Sequence, residues 1–167
     1  MDGLKGDFRL TDTEKKRLEK EKREARFSER FIEYNFGVKD TITTRSILNE
    51  LNHSETGKDV ARYIFEHDEL QIQLCYKVDN PSKDLGDQFG DEIRIFVSET
   101  KTIKRTVEVL IHEITHYRYD IGGSQWAECV CIAQERKHRG RKEELTISEL
   151  RDIIKEVKEL YPEFPWR

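Results

Sequence analysis

A chain of 167 residues with a formal net charge of −4 has the length of one compact domain, which typically holds ~100–150 residues. Acidic residues outnumber basic ones by 34 to 30, which excludes the broad positive field that nucleic-acid binders rely on. Charged residues reach 38% against 35% hydrophobic, so either the surface is unusually charged or part of the chain lies outside the core.

The N-terminal "MDGLKGDFRL" lacks the apolar stretch of a secretory signal, and no apolar run approaches the ~18–20 residues of a membrane span. The chain reads as a soluble protein made in the cytosol. Residues 11–30 open with a capping-box pattern, Thr11 to Glu14, and continue with strong helix formers. The apolar residues of this segment, Leu18, Ala25 and Phe27, are too sparse for a buried stripe, so residues 1–30 read as a charged helical leader or linker and residues 31–167 as the domain. Two short helices follow at 43–52 and 56–66, the second entered at Thr56 with Val60, Ala61, Ile64 and Phe65 on one face.

The period then changes from helical to alternating. In "LQIQLCYKV" Leu70, Ile72, Leu74, Tyr76 and Val78 repeat every second residue, and "DEIRIFVSE" does the same with Ile93, Ile95 and Val97, the signature of half-buried strands. The intervening "DNPSKDLGDQFG" is rich in turn formers, which predicts antiparallel pairing of the two strands across a long exposed loop.

After Thr100 the helical period returns with Ile103, Val107, Leu110, Ile111 and Ile114. Gly122 and Gly123 are expected to stop that helix with a left-handed cap, and a second helix is expected from Ser124 to about His138. The basic turn "KHRGRK" leads to a last helix capped by Thr146 and Glu149, with Ile147, Leu150, Ile153, Ile154, Val157 and Leu160 as its apolar face. Helices and a small antiparallel sheet together give an α+β fold class.

The chemistry concentrates in residues 110–138, which hold three of the chain's five histidines and two of its three cysteines. An odd cysteine count without a CxxC pair argues against a disulfide framework, so Cys75, Cys129 and Cys131 read as reduced thiols. Cys129 and Cys131 would point to different sides of a helix, which makes at least one of them a small core residue.

His112, Glu113 and His116 spell HExxH. Residues four apart on a helix share a face with ~5–6 Å between their Cβ atoms, so both imidazoles can reach one zinc ion. Glu113 then lies near the metal without binding it, placed to take a proton from a polarised water and pass it to a leaving amine. A catalytic zinc needs a third protein ligand. A chain reversal at 121–123 would send the next helix back along the first, and its first acidic residue, Glu128, would meet the metal opposite the histidine pair. Asp120, four residues beyond His116, is the rival ligand, or a hydrogen-bond partner of a ligating histidine. Glu135 and His138 read as a solvated face or capping charges. Tyr117 and Tyr119 read as half-buried packing, with a tyrosine hydroxyl near an oxyanion as the other option. His53 and His67 read as surface residues.

On "HEITH" followed by "GGSQWAE", residues 70–138 resemble the zincin-like metallopeptidases of the minimal type, in which a glutamate on the following helix completes the site. The resemblance implies a zinc-dependent endopeptidase acting on a protein or peptide. It also implies an antiparallel edge strand ahead of the active-site helix, matched here by "DEIRIFVSE", that binds substrate by strand addition. The compact size and charged leader look like zincin domains of bacterial polymorphic toxins. That likeness implies an effector exported from the producing cell, with an immunity or inhibitor protein as partner. Similar small designs serve as phage or stress-response regulatory peptidases, and the other class of reading is a non-catalytic helical interaction module.

Overall fold

The computed structural model describes residues 9–37, 39–77 and 79–167. Val78 of the first expected strand and residues 1–8 of the leader lie outside the described residues. The fold is α+β. Among the described residues the elements run α1 (Asp12–Glu29), β1 (Phe31–Tyr34), α2 (Thr44–Leu51), α3 (Glu55–Glu66), β2 (Gln71–Cys75), β3 (Gly86–Phe89), β4 (Glu92–Phe96), a single turn α4 (Val97–Thr100), α5 (Ile103–Tyr119), α6 (Gln125–Gly140) and α7 (Ile147–Leu160).

Side-chain caps fix where the helices start. Thr11 and Glu14 close a capping box at α1, as do Thr146 and Glu149 at α7, each pair satisfying two backbone donors that would otherwise lack partners. The α3 helix begins one residue before Thr56, because Ser54 rather than Thr56 is the N-cap and accepts from the Gly57 amide. Most of α1 is exposed, but its last turn turns Phe27 into the main core at 2% exposure, where the ring lies 4.9 Å from that of Phe31.

The sheet corrects the expected topology. Its order is β1-β2-β4-β3; β2 pairs with β4 in parallel, β1 pairs with β2 in parallel, and only β3 and β4 are antiparallel. The sheet is therefore mixed rather than antiparallel. The cause lies in "DNPSKDLGDQFG", which contains a strand. Asn80 Nδ2 donates to the Asp84 carbonyl at 2.8 Å and Ser82 Oγ to Asp84 Oδ2 at 2.8 Å, which organises the loop. The chain then forms β3 and doubles back through Gly90, whose φ of +58° suits glycine, into β4. Arg94 of β4 clamps Asp87 of β3 through two bonds of 2.8 and 2.5 Å. The expected edge strand, β4, is thus interior, and β3 is the edge next to it. Val97 is buried but belongs to the turn α4 rather than to the strand.

Ile72, Leu74, Ile93 and Ile95 of the sheet meet Val107, Leu110, Ile111 and Ile114 of α5 in one apolar cluster that also takes in Ile47, Leu51, Val60 and Ile64 of α2 and α3. Helix α6 packs on α5, and α7 on α6. The expected apolar face of α7 is buried only at Ile153 and Val157; Ile147, Leu150 and Leu160 are exposed, because α7 touches the body along one narrow seam.

Candidate metal centre

Helix α5 begins at the Thr102 cap, whose side chain accepts from the Arg105 amide, and ends at Asp120, which adopts the left-handed conformation (φ 49°, ψ 49°). The cap thus falls one residue before Ile121 and ahead of the glycines expected to supply it. Gly123 is also left-handed, at φ +66°, and completes the reversal. With its apolar stripe committed to the sheet, α5 turns His112 and His116 toward the returning α6, their side chains only 13% and 11% exposed.

The imidazoles are aimed by hydrogen bonds on their far sides. His112 Nδ1 lies 2.6 Å from Glu135 Oε1, and His116 Nδ1 lies 2.7 Å from the Ile121 carbonyl oxygen. Protonation at each Nδ1 fixes the tautomer that leaves Nε2 as the donor toward a cation. The two Nε2 atoms stand 3.1 Å apart. Opposite them Glu128 spreads its carboxylate, Oε2 at 3.2 Å from His112 Nε2 and Oε1 at 3.3 Å from His116 Nε2. Bonds of ~2.0–2.1 Å to a tetrahedral ion set ligand atoms about 3.3 Å apart, and each of these three contacts, with one carboxylate oxygen facing each ring, is close to that length.

Electrostatics match that geometry. Burial pushes the Glu128 carboxyl up, but hydrogen bonds from His112 and His116 outweigh it and hold the group at about 2. Burial likewise pushes the His112 imidazole down, while Glu128 and Glu135 lift it to about 10. His116 is raised as well, burial being overcome chiefly by Glu128. The pair of rings thus sits in a negative field that favours any cation, proton or metal.

Glu113 is 8% exposed, and its carboxyl is raised, first by burial and then by Glu128 and Asp87, against the pull of the two histidines. It lines, with His112, a cleft of about 510 Å³ whose walls include Gly86, Arg105, Leu160 and Tyr161. Gly86 sets the width of that cleft. A Cβ there would come within 2.7 Å of Val109 Cγ1 and 3.3 Å of Glu113 Cγ, so the missing side chain lets the edge strand lie against α5.

Three residues at this site have roles beyond those their sequence positions suggested. Glu135 is buried at 6% exposure and, besides holding His112, receives Arg105 at 3.0 Å; Arg105 also reaches Glu108, which Arg139 grips through bonds of 2.7 and 2.8 Å. Burial, and then the negative charge of Glu128, push the phenol of Tyr161 at the end of α7 up to about 12. Cys131 is fully buried, and its sulfur and a ring nitrogen of each histidine all lie within 4.8 Å of one another. Glu128 and Cys131 are therefore both within reach of an ion held by the histidines. The sequence reads Glu135 as a solvated face or capping charge and Cys131 as a reduced thiol; the i, i+3 step from Glu128 to Cys131 and the i, i+4 step from Cys131 to Glu135, which put all three on one face, are the available signal.

The remaining sequence candidates lie elsewhere. Asp120 is exposed, and the Ile121 carbonyl takes the His116 nitrogen that Asp120 was expected to bind. Tyr117 donates to Asp91 of the β3–β4 turn at 3.0 Å, and Tyr119 is 54% exposed. His138 is no solvated cap: it is 4% exposed, its Nδ1 lies 2.6 Å from Ser54 Oγ, and burial lowers its pKa. His53 pairs with Glu50 at 3.1 Å, while His67 stacks on Tyr63 with ring centroids 3.7 Å apart.

The architecture defined here is a small mixed sheet backed by a helix pair whose facing sides carry two imidazoles, three carboxylates and a thiol. Comparison with family models, with curated proteins and with solved structures finds no significant match to this chain. Among the described residues no helix is long and apolar enough to cross a membrane.

Proposed function

We propose that this protein is a zinc-dependent endopeptidase of zincin-like design, with His112, His116 and Glu128 as metal ligands and Glu113 as general base. The observation that carries the reading is the convergence of two Nε2 atoms 3.1 Å apart with the Glu128 carboxylate, whose oxygens lie 3.2 and 3.3 Å from one ring each, beside a buried glutamate that lines a cleft. The donor set fits the group, since imidazole nitrogen and carboxylate oxygen are ordinary zinc ligands. A bound zinc ion would supply Lewis acidity, activating water and polarising a carbonyl.

The chain's own residues would do the rest. Glu113, its carboxyl raised by burial, is suited to accept a proton and return it to the leaving amine. Tyr161 lines the same cleft as Glu113, where its hydroxyl could donate to negative charge developing on a substrate oxygen. Gly86 at the start of the edge strand β3 lines the same cleft, so an extended peptide could add to the sheet edge and carry its backbone past Glu113. The substrate class on this reading is a protein or peptide, and delivery as an effector with a dedicated inhibitor remains part of the same proposal.

The test uses zinc-loaded full-length protein with a fluorescently labelled casein and a proteome-derived peptide library read by mass spectrometry. Glu113→Gln is expected to keep one equivalent of zinc and lose cleavage at least a hundredfold, whereas His116→Ala loses both metal and cleavage. Wild-type protein that takes up no zinc, or a Glu113→Gln variant that cleaves at the wild-type rate, refutes the reading.

A further inference from the structure

Hydrolysis as proposed uses two of the three side chains that α6 presents to the imidazoles and leaves Cys131 without a part. With a rise of 1.5 Å per residue, Cys131 sits about 4.5 Å along the axis beyond Glu128 and about 6 Å before Glu135, midway between the carboxylate facing the Nε2 atoms and the one holding His112 Nδ1. It has no solvent exposure, and Cys129, two residues earlier, packs against the smaller apolar cluster. Burial pushes this thiol up, and Glu128, Glu113 and Glu135 push it up further.

Distance supports a direct role. Bonds of ~2.3 Å to sulfur and ~2.0–2.1 Å to nitrogen make the sulfur–nitrogen edge of a tetrahedral zinc site about 3.6 Å. The sulfur and one ring nitrogen of each histidine already lie within 4.8 Å of one another, close to the length of that edge. We propose that Cys131 is a fourth protein ligand, so that in the resting protein the ion is held by two imidazole nitrogens, a carboxylate oxygen and a thiolate sulfur. The inference rests on the metal-dependent reading above. On binding, the thiol proton passes to solvent as the sulfur–metal bond forms. A site filled in this way would take up water by expanding to five ligands or by exchanging the thiolate or the carboxylate. The soft sulfur also biases the site toward zinc, cobalt and cadmium over magnesium, calcium and manganese.

Cobalt(II) titrated into metal-free full-length protein tests this, because a cobalt–thiolate bond produces a near-ultraviolet charge-transfer band that nitrogen and oxygen ligands do not. The expected result is one equivalent bound with that band present in wild type. In Cys131→Ser the band is lost and cobalt affinity falls at least tenfold, while circular dichroism reports whether the variant is folded. Wild-type protein that binds one equivalent without the band, or a band that persists in Cys131→Ser, overturns the thiolate ligand and leaves the histidine–glutamate site standing. Wild-type protein that binds no cobalt overturns both. The wild-type spectrum decides the question even where the variant fails to fold.

Discussion

Replacing Glu135 by glutamine keeps the shape of the side chain and removes the charge that two donors share. Glu135 accepts from His112 Nδ1 at 2.6 Å and from Arg105 at 3.0 Å, and it is 6% exposed. A glutamine oxygen can satisfy one of these donors, which leaves its NH2 group facing the other. A hydrogen bond involving a charged group contributes about 1.5–3 kcal/mol. The Arg105 share is discounted, because that side chain is 37% exposed and keeps Glu108 as a partner, and exposed pairs are worth about 0–1 kcal/mol. The metal-free variant is therefore expected to lose about 1–3 kcal/mol in urea unfolding at neutral pH. Loss of a hydrogen-bond partner behind a ligating histidine typically costs 10–100-fold in metal affinity, so zinc binding measured against a chromophoric chelator should weaken by roughly that factor. Zinc affinity within twofold of wild type, with unchanged unfolding, refutes the assignment of Glu135 as the residue that orients His112.

Gly86→Ala places a methyl group 2.7 Å from Val109 Cγ1, and overpacking of this kind costs about 1–3 kcal/mol; a lowered melting temperature together with slower cleavage is expected, and an unchanged pair of values rejects a close seat for β3 on α5. Zinc uptake should depend on pH. Carboxylate partners raise His112 to about 10 in the folded chain, so in metal-free protein its contribution to stability is fully present below the ordinary histidine value of ~6.5 and is lost as pH rises through about 10. An incoming ion must displace that proton, which predicts apparent affinity rising about tenfold per pH unit for each proton displaced between roughly pH 6.5 and 8.5. Calorimetry in buffers of different ionisation enthalpy counts the released protons, and a flat affinity across that range contradicts the assignment.

Local signals survive from sequence to structure where a residue satisfies its own neighbourhood. The Thr146–Glu149 box and the α5 stripe of Val107, Leu110, Ile111 and Ile114 are examples, because capping and periodicity are decided within a few turns. The HExxH spacing put His112 and His116 on one face for the same reason, and a tight reversal followed by the first available acid singled out Glu128. Strand pairing depends on partners distant in the chain. The short, polar β3 is legible only once Asp87 meets Arg94, and without it β2 and β4 look like the two arms of a hairpin. Glu135, Cys131 and Tyr161 were visible as residue types, but their roles depend on where α6 and α7 come to rest against α5. The apolar period of α7 predicted more burial than one seam of contact provides, since a pattern states which face prefers shelter and not how much shelter exists.

Both ends of α6 are moored. At its start the Gln125 and Trp126 amides donate to the carbonyls of Pro165 and Trp166 at 2.8 and 2.9 Å; at its finish His138 meets Ser54 at 2.6 Å. Glu128, Cys131 and Glu135 therefore travel together on one braced rod and cannot be retuned separately. On the proposed metal-dependent reading, an ion of larger radius would lever the whole rod away from α5 against moorings that lie within one turn of Glu128 and of Glu135. The spacing between two helices would then act as a caliper for the guest, and a substitution as remote as Ser54 would reset its gauge.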